Sequence, residues 1–151
     1  MSFRRFQEYL DDKGFEHINP LELDKATHTA EDAARVNDVQ VSNIVKSLFL
    51  VSDVDEIIVL VPGDRKLDIE KLSEHLGVPY NMSDADTVKD LTGYSIGGVP
   101  PFGHKQKFCT YIVKGFDRKT ELLAAAGSSN TVFKTDYKTL TEICDAVELP
   151  I

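Results

Sequence analysis

Lys46 is the residue of this chain whose placement most invites chemistry. In residues 41–52, Ile44, Lys46, Leu48 and Leu50 fall on one side of an extended strand, and Val45, Ser47, Phe49 and Val51 fall on the other. A long cation on an apolar face is costly unless it reaches solvent, an anion or a cavity. Lys46 therefore reads either as a pocket lysine for a phosphate or carbonyl oxygen, or as one that snorkels from a strand end or pairs with an internal carboxylate. A second candidate is the stretch 92–103, which holds four of the nine glycines and two of the six prolines. Proline fixes φ and donates no hydrogen bond, whereas glycine lets a backbone or a ligand come close. Between Gly97 and Gly103, free N–H groups can come only from Gly97, Gly98, Val99, Phe102 and Gly103. Such a loop can line a pocket with donors and an aromatic wall, or merely connect two elements. The third candidate, Gly127-Ser128-Ser129-Asn130, is either an oxyanion- or carboxylate-binding turn or a plain β-turn.

Other chemistries find little support. Ser128 and Ser129 lack the Gly-x-Ser-x-Gly setting of a nucleophile elbow. His17, His28, His75 and His104 are too far apart to suggest a metal site, and His75 reads as a surface residue. Cys109 in a strand and Cys144 on an apolar helix face read as buried, inert thiols. Pro62-Gly63-Asp64-Arg65 lacks the spacing of a phosphate-binding P-loop. No acid–base pair, metal cluster or triad emerges, and no cofactor is expected.

The elements that must position these residues follow from pattern. Phe3, Phe6 and Leu10 predict a first helix over about residues 2–13, with Ser2 as cap and Gly14 as stop. Residues 15–25 read as extended or irregular. Thr29 caps a short Ala-rich helix that ends at Asn37. The strand containing Lys46 is joined through Ser52-Asp53-Val54-Asp55 to a second at 56–62, an antiparallel hairpin. Asp68 caps a helix closed by Gly77; residues 80–82 are briefly extended; a helix starting at Ser83-Asp84 stops at Gly93. Strands are expected at 107–113, 121–126 and 131–134. Asp136 or Thr135 then caps a final helix with Leu140, Ile143, Cys144 and Val147 inward. These elements predict a mixed α/β (α+β-like) fold: one domain over residues 1–151, its central sheet mixed but largely antiparallel and surrounded by helices.

Composition narrows the partners. The chain has 151 residues, 42% hydrophobic and 28% charged, a soluble globular balance. Its formal net charge is −8, whereas a general nucleic-acid binder is basic, so any nucleic-acid contact must be local. Basic residues gather at Arg65-Lys66 and at His104-Lys105-Lys107. The N-terminus shows no secretory h-region, and the longest apolar run, 57–61, is strand-sized. With two widely spaced cysteines, a cytoplasmic setting without membrane attachment is expected.

Taken in order, Val45-Lys46-Ser47-Leu48 and Thr92-Gly93-Tyr94-x-x-Gly97-Gly98-x-x-Pro101-Phe102-Gly103 resemble the YbaK/ProX family of aminoacyl-tRNA deacylases, related to the editing domain inserted in bacterial prolyl-tRNA synthetases. Gly98-Val99-Pro100-Pro101-Phe102 meets the family's Gly-x-x-Pro-Phe loop. Thr29-x-x-Asp32-Ala33-Ala34, Leu60-Val61-Pro62-Gly63-Asp64 and Ala126-Gly127-Ser128 also fall in order, so the resemblance covers residues 29–147. It implies a YbaK-like fold and hydrolysis of the ester between a wrong amino acid, alanine or cysteine, and tRNA(Pro). Lys46 would hold the terminal nucleotide's phosphate or orient the ester. Gly98, with Gly97, Val99, Pro100, Pro101 and Phe102, would position ester and water. Thr29, Gly127, Ser128 and Ser129 would complete the substrate pocket, with no metal. The implied partners are the tRNA acceptor end and, as a second candidate, prolyl-tRNA synthetase. Ser128-Ser129-Asn130 is richer in hydroxyls than the alanine- or cysteine-specific members lead one to expect. The alternative from another class is a non-catalytic module of the same fold that binds an aminoacyl-adenosine, a nucleotide or a protein. A small-molecule esterase would need a nucleophile that the sequence does not offer.

Overall fold

The computed structural model describes residues 2–151, without the side chain of Ser2, so the cap expected there lies outside the described residues. The chain runs α1 (Ser2–Lys13), β1 (Leu21–Glu22), α2 (Ala30–Asn37), β2 (Ile44–Val51), β3 (Glu56–Pro62) and α3 (Ile69–Leu76). It continues through β4 (Asn81–Met82), α4 (Ala85–Thr92), β5 (Cys109–Ile112), β6 (Leu122–Ala125), β7 (Thr131–Thr135), α5 (Tyr137–Cys144) and β8 (Val147–Glu148).

The apolar run 57–61 lies within β3, where all its residues are fully buried. A strand covered on both faces belongs in the interior of a sheet. β3 indeed has a neighbour on each side: β2 antiparallel, as the hairpin predicted, and β5 parallel. The full order is β1-β7-β6-β2-β3-β5-β8, with β4 pairing β2 off that path. The sheet is mixed: β1–β7, β2–β3, β2–β4 and β6–β7 are antiparallel, and β2–β6, β3–β5 and β5–β8 are parallel.

Alternation along β2 and β3 separates two cores. Val45, Phe49, Ile58 and Leu60 face α1, α4 and α5 through Phe6, Leu10, Val88 and Leu140. Leu50, Ile57, Val59 and Val61 face α3 through Leu72. A smaller cluster joins Ala33 and Ala34 of α2 to Ile44, Leu123 and Val132. Helix caps follow the sequence: Thr29, Asp68, Asp84 and Asp136 each accept the N–H three residues on.

Three expectations are corrected. Residues 41–43 form a 3-10 turn rather than the start of the strand. The last helix ends at Cys144, because Asp145 is left-handed at φ 51 and turns the chain outward. Val147 therefore sits in β8, 51% exposed, instead of on the helix's inner face. Cys109 opens β5 and is exposed, while Cys144 is buried as expected.

Candidate functional site

β2 is the wall of the site because its ladder on the side away from β3 is interrupted. β6 pairs with it only at Ile44–Leu123 and Val45–Ala124, and β4 only at Leu50–Met82 and Val51–Asn81. Between those contacts the sheet opens into a cavity of about 320 Å³. Its walls are Lys46 and Ser47 on β2, Thr29 and Ala30 at the start of α2, Val88 of α4, and Ala124 of β6. Gly97 and Val99 enter from the glycine–proline loop, Ser128 and Ser129 from the turn after β6. Its mouth carries two exposed apolar side chains, Ile96 at 58% and Met82 at 50%.

Lys46 is half-buried, and its Nζ donates to the carbonyl oxygen of Arg65. That carbonyl belongs to the turn after β3, whose Gly63 is packed so closely that a Cβ there would stand 2.4 Å from Val41 O. Among the described residues no carboxylate lies within ion-pair distance of Lys46. A half-buried ammonium held only by a neutral carbonyl keeps most of its field for an incoming anion or ester oxygen.

The loop between α4 and β5 is tied from within. Thr92 Oγ1 donates to Val88 O (2.6 Å) and accepts from Tyr94 N (3.1 Å), which closes the end of α4. Three carbonyls of the loop accept from side chains: Gly103 from the Tyr94 hydroxyl at 2.6 Å, Pro100 from His104 Nε2 at 2.7 Å, and Pro101 from Cys144 Sγ at 3.4 Å. Burial lowers the His104 pKa to about 4, partly offset by its bond to Pro100, so the ring is neutral near pH 7. A carbonyl can only accept, so the proton sits on Nε2. Burial pushes the Cys144 thiol up to about 12, and the Tyr94 phenol higher than usual. Neither is a nucleophile; both are anchors.

Phe102 is an anchor too. It packs against Phe6 at 5.3 Å, Phe133 at 5.6 Å and Tyr9 at 5.9 Å, centroid to centroid, and is 5% exposed. It does not line the cavity, and neither do Pro100, Pro101, Gly98 or Gly127. The aromatic wall expected from Phe102 therefore lies behind the loop, in the core. Gly98 gives its N–H to Ser95 O at 3.0 Å, so that donor is used in a turn. The close approach that requires a glycine at 98 is made by the backbone of Ser128.

The turn after β6 is also internally bonded. Ser128 Oγ lies 2.8 Å from Asn130 Oδ1 and 2.7 Å from Thr131 Oγ1, and Gly127 has φ 112. Ser129 O accepts both the N–H (2.7 Å) and the hydroxyl (3.2 Å) of Thr27. Thr29 Oγ1 is engaged as the cap of α2, accepting from Asp32 N at 3.0 Å.

Of the residues singled out by sequence, Lys46, Thr29, Gly97, Val99, Ser128 and Ser129 converge on one cavity. Sequence reasoning missed Ser47 and His28, which also line it. Ser47 did carry a signal, a polar residue between Val45 and Phe49 on an otherwise apolar strand face.

Comparison with known proteins is consistent across sequence and structure. The family described as aminoacyl-tRNA editing domain matches residues 24–143. The uncharacterized protein YwhH of Bacillus subtilis (strain 168) is 33% identical over 122 residues, 80% of this chain and 78% of that protein. The proline–tRNA ligase of Citrifermentans bemidjiense is 28% identical over 127 residues, 81% of this chain but 22% of the ligase, so the chain spans about a fifth of that relative. A solved structure of a candidate trans-editing enzyme for prolyl tRNA synthetase superposes with a TM-score of 0.92 at 34% identity, over 98% of this chain and 94% of that one.

Proposed function

Because the chain belongs to the aminoacyl-tRNA editing domain family, we propose that it is a trans-acting hydrolase that removes a wrong amino acid from tRNA, with alanine or cysteine on tRNA(Pro) as the substrates. The observation that carries this reading is Lys46: a half-buried cation in the wall of a cavity, held by one main-chain carbonyl. The ammonium binds the terminal nucleotide's phosphate or steadies the ester carbonyl as charge develops on it. Cavity donors position the ester and a water molecule; that water attacks the carbonyl carbon, and the ribose oxygen leaves with a proton.

An aminoacyl ester is activated, so placement of water and ester can supply much of the acceleration without a protein nucleophile. The hydroxyls of Ser128, Thr131, Thr27 and Thr29 are engaged with neighbouring groups. That supports water, or a polar group of the substrate itself, as the attacking or assisting species. Discrimination by side-chain size is worth about 1–3 kcal/mol for each methylene excluded. The net charge of −8 fits contact limited to the acceptor end, with prolyl-tRNA synthetase as a candidate second partner.

The test is a panel of tRNAs charged with alanine, cysteine, serine and threonine, assayed with wild-type protein and Lys46→Ala. Turnover of at least one ester, reduced about 100-fold or more in Lys46→Ala with folding retained, is the expected result. Equal turnover in the variant would remove Lys46 from the site. Saturable binding of aminoacyl-tRNA with no hydrolysis of any ester would make the chain a binding module.

A further inference from the structure

Ser47 is the residue of the site that the fold leaves least satisfied. The register of β2 shows why. Gly63 N donates to Ile44 O at 2.8 Å, so Ile44 directs its main-chain groups toward β3. Direction alternates along a strand, so Lys46, Leu48 and Leu50 do the same, and Val45, Ser47 and Phe49 face the other way. Phe49 finds a partner there, its carbonyl accepting from Ser83 N at 3.2 Å, and Val45 pairs with β6. Ser47 lies between, past the last β6 pair and before the first β4 pair. Its N–H and C=O point into the opening of the sheet. Its side chain shares a face with Val45 and Phe49, and Oγ is shielded from solvent and without a hydrogen-bond partner among the described residues.

A buried hydroxyl left unpaired is costly, and so is a buried main-chain pair. Two main-chain groups of one residue thus face a cavity whose neighbouring walls, Val45, Phe49, Val88, Val99 and Ala124, are apolar, and its hydroxyl lies shielded and unpaired beside them. A serine hydroxyl changes staggered position about Cα–Cβ at little cost, so the pairing it lacks is available to a ligand.

We propose that Ser47 reads the amino-acid part of the substrate: its main-chain carbonyl accepts from the α-ammonium, and its Oγ pairs with a polar γ atom of the aminoacyl side chain. The favoured ester then carries a γ-hydroxyl or γ-thiol, as in serine or cysteine, over alanine, which leaves the solvent-shielded Oγ unpaired. A site built around a hydrogen bond rejects the analogue that lacks the partner more strongly than an apolar site rejects a missing methylene. This inference rests on the editing reading above and names the side chain that the cavity selects.

The experiment compares kcat/KM for tRNA(Pro) charged with serine, cysteine or alanine, using the wild-type protein and Ser47→Ala, with thermal unfolding of both. The wild type is expected to prefer the serine or the cysteine ester to the alanine ester; which of the two it prefers tells hydroxyl from thiol. In Ser47→Ala, the loss on the preferred ester exceeds the loss on the alanine ester by roughly 10-fold. The melting temperature stays level or rises, because an unpaired hydroxyl has been removed. An unchanged preference, an equal loss on all three esters, or a lowered melting temperature with uniform loss overturns the role of Ser47 and leaves the editing reading standing. Wild-type protein that cleaves none of the three, nor the threonine ester, overturns both.

Discussion

Gly98 and Ser128 touch through their backbones: a Cβ on Gly98 would stand 2.6 Å from Ser128 Cα and 2.8 Å from Ser128 N. The glycine–proline loop and the turn after β6 are 30 positions apart in sequence at these residues and meet at one point. Their neighbours Gly97, Val99 and Ser129 line the cavity, so this contact sets the width between two of its walls. Neither backbone can yield without moving its loop. Gly98→Ala is therefore expected to destabilise the protein by about 1–3 kcal/mol and to lower deacylation more than the loss of folded protein accounts for. Denaturant unfolding alongside initial rates measures both. An alanine variant with wild-type stability would show that the contact is slack.

Phe102 is placed to hold the loop rather than to touch a ligand. It sits among Phe6, Tyr9, Phe15 and Phe133, and so joins α1 and β7 to the loop. Phe102→Ala should cost about 3–5 kcal/mol, in the range of large core truncations. Chemical denaturation checks it. A loss below about 1 kcal/mol would return Phe102 to the role of a cavity wall.

His104 makes stability depend on pH. Its folded pKa is about 4, below the ordinary 6.5, because burial disfavours the charged ring. The unfolded chain then binds a proton that the folded chain refuses. This contribution is whole above about pH 6.5 and falls away as the pH drops through about 4. Melting scans from about pH 7 down to about pH 4 should show stability falling, with a flatter profile in His104→Gln. Parallel profiles for the two proteins would clear His104 of the effect.

The acidic surface limits how tRNA is held. With a net charge of −8 and Lys46 in the cavity wall, few phosphates are neutralised on binding. A plot of log kcat/KM against log salt should have a slope of about −1 to −2, and Lys46→Ala should flatten it by about 0.7. A slope steeper than about −5 would require a basic footprint that the sequence lacks.

Much of this was legible in the sequence, for local reasons. The hairpin of β2 and β3 follows from alternation bounded by a turn, and the caps at Thr29, Asp68, Asp84 and Asp136 from side chains that accept a nearby N–H. β8 was not legible, because two residues added to the edge of a parallel pair carry no periodicity of their own. Nor was the division of labour within the loop. A glycine needed for a backbone contact and one needed for a ligand are the same letter, and so are an aromatic wall and an aromatic anchor.

By itself the sequence determined which residues are available: a lysine on an apolar strand face, two glycine-bearing loops, no nucleophile with a base beside it. Tertiary structure decided which of them share a cavity, and that Ser47 joins Lys46 there. The reason is that the opening in the sheet is made by the ends of other strands. β6 leaves β2 after Val45 and β4 arrives at Leu50, and nothing within residues 46–49 records where its neighbours stop.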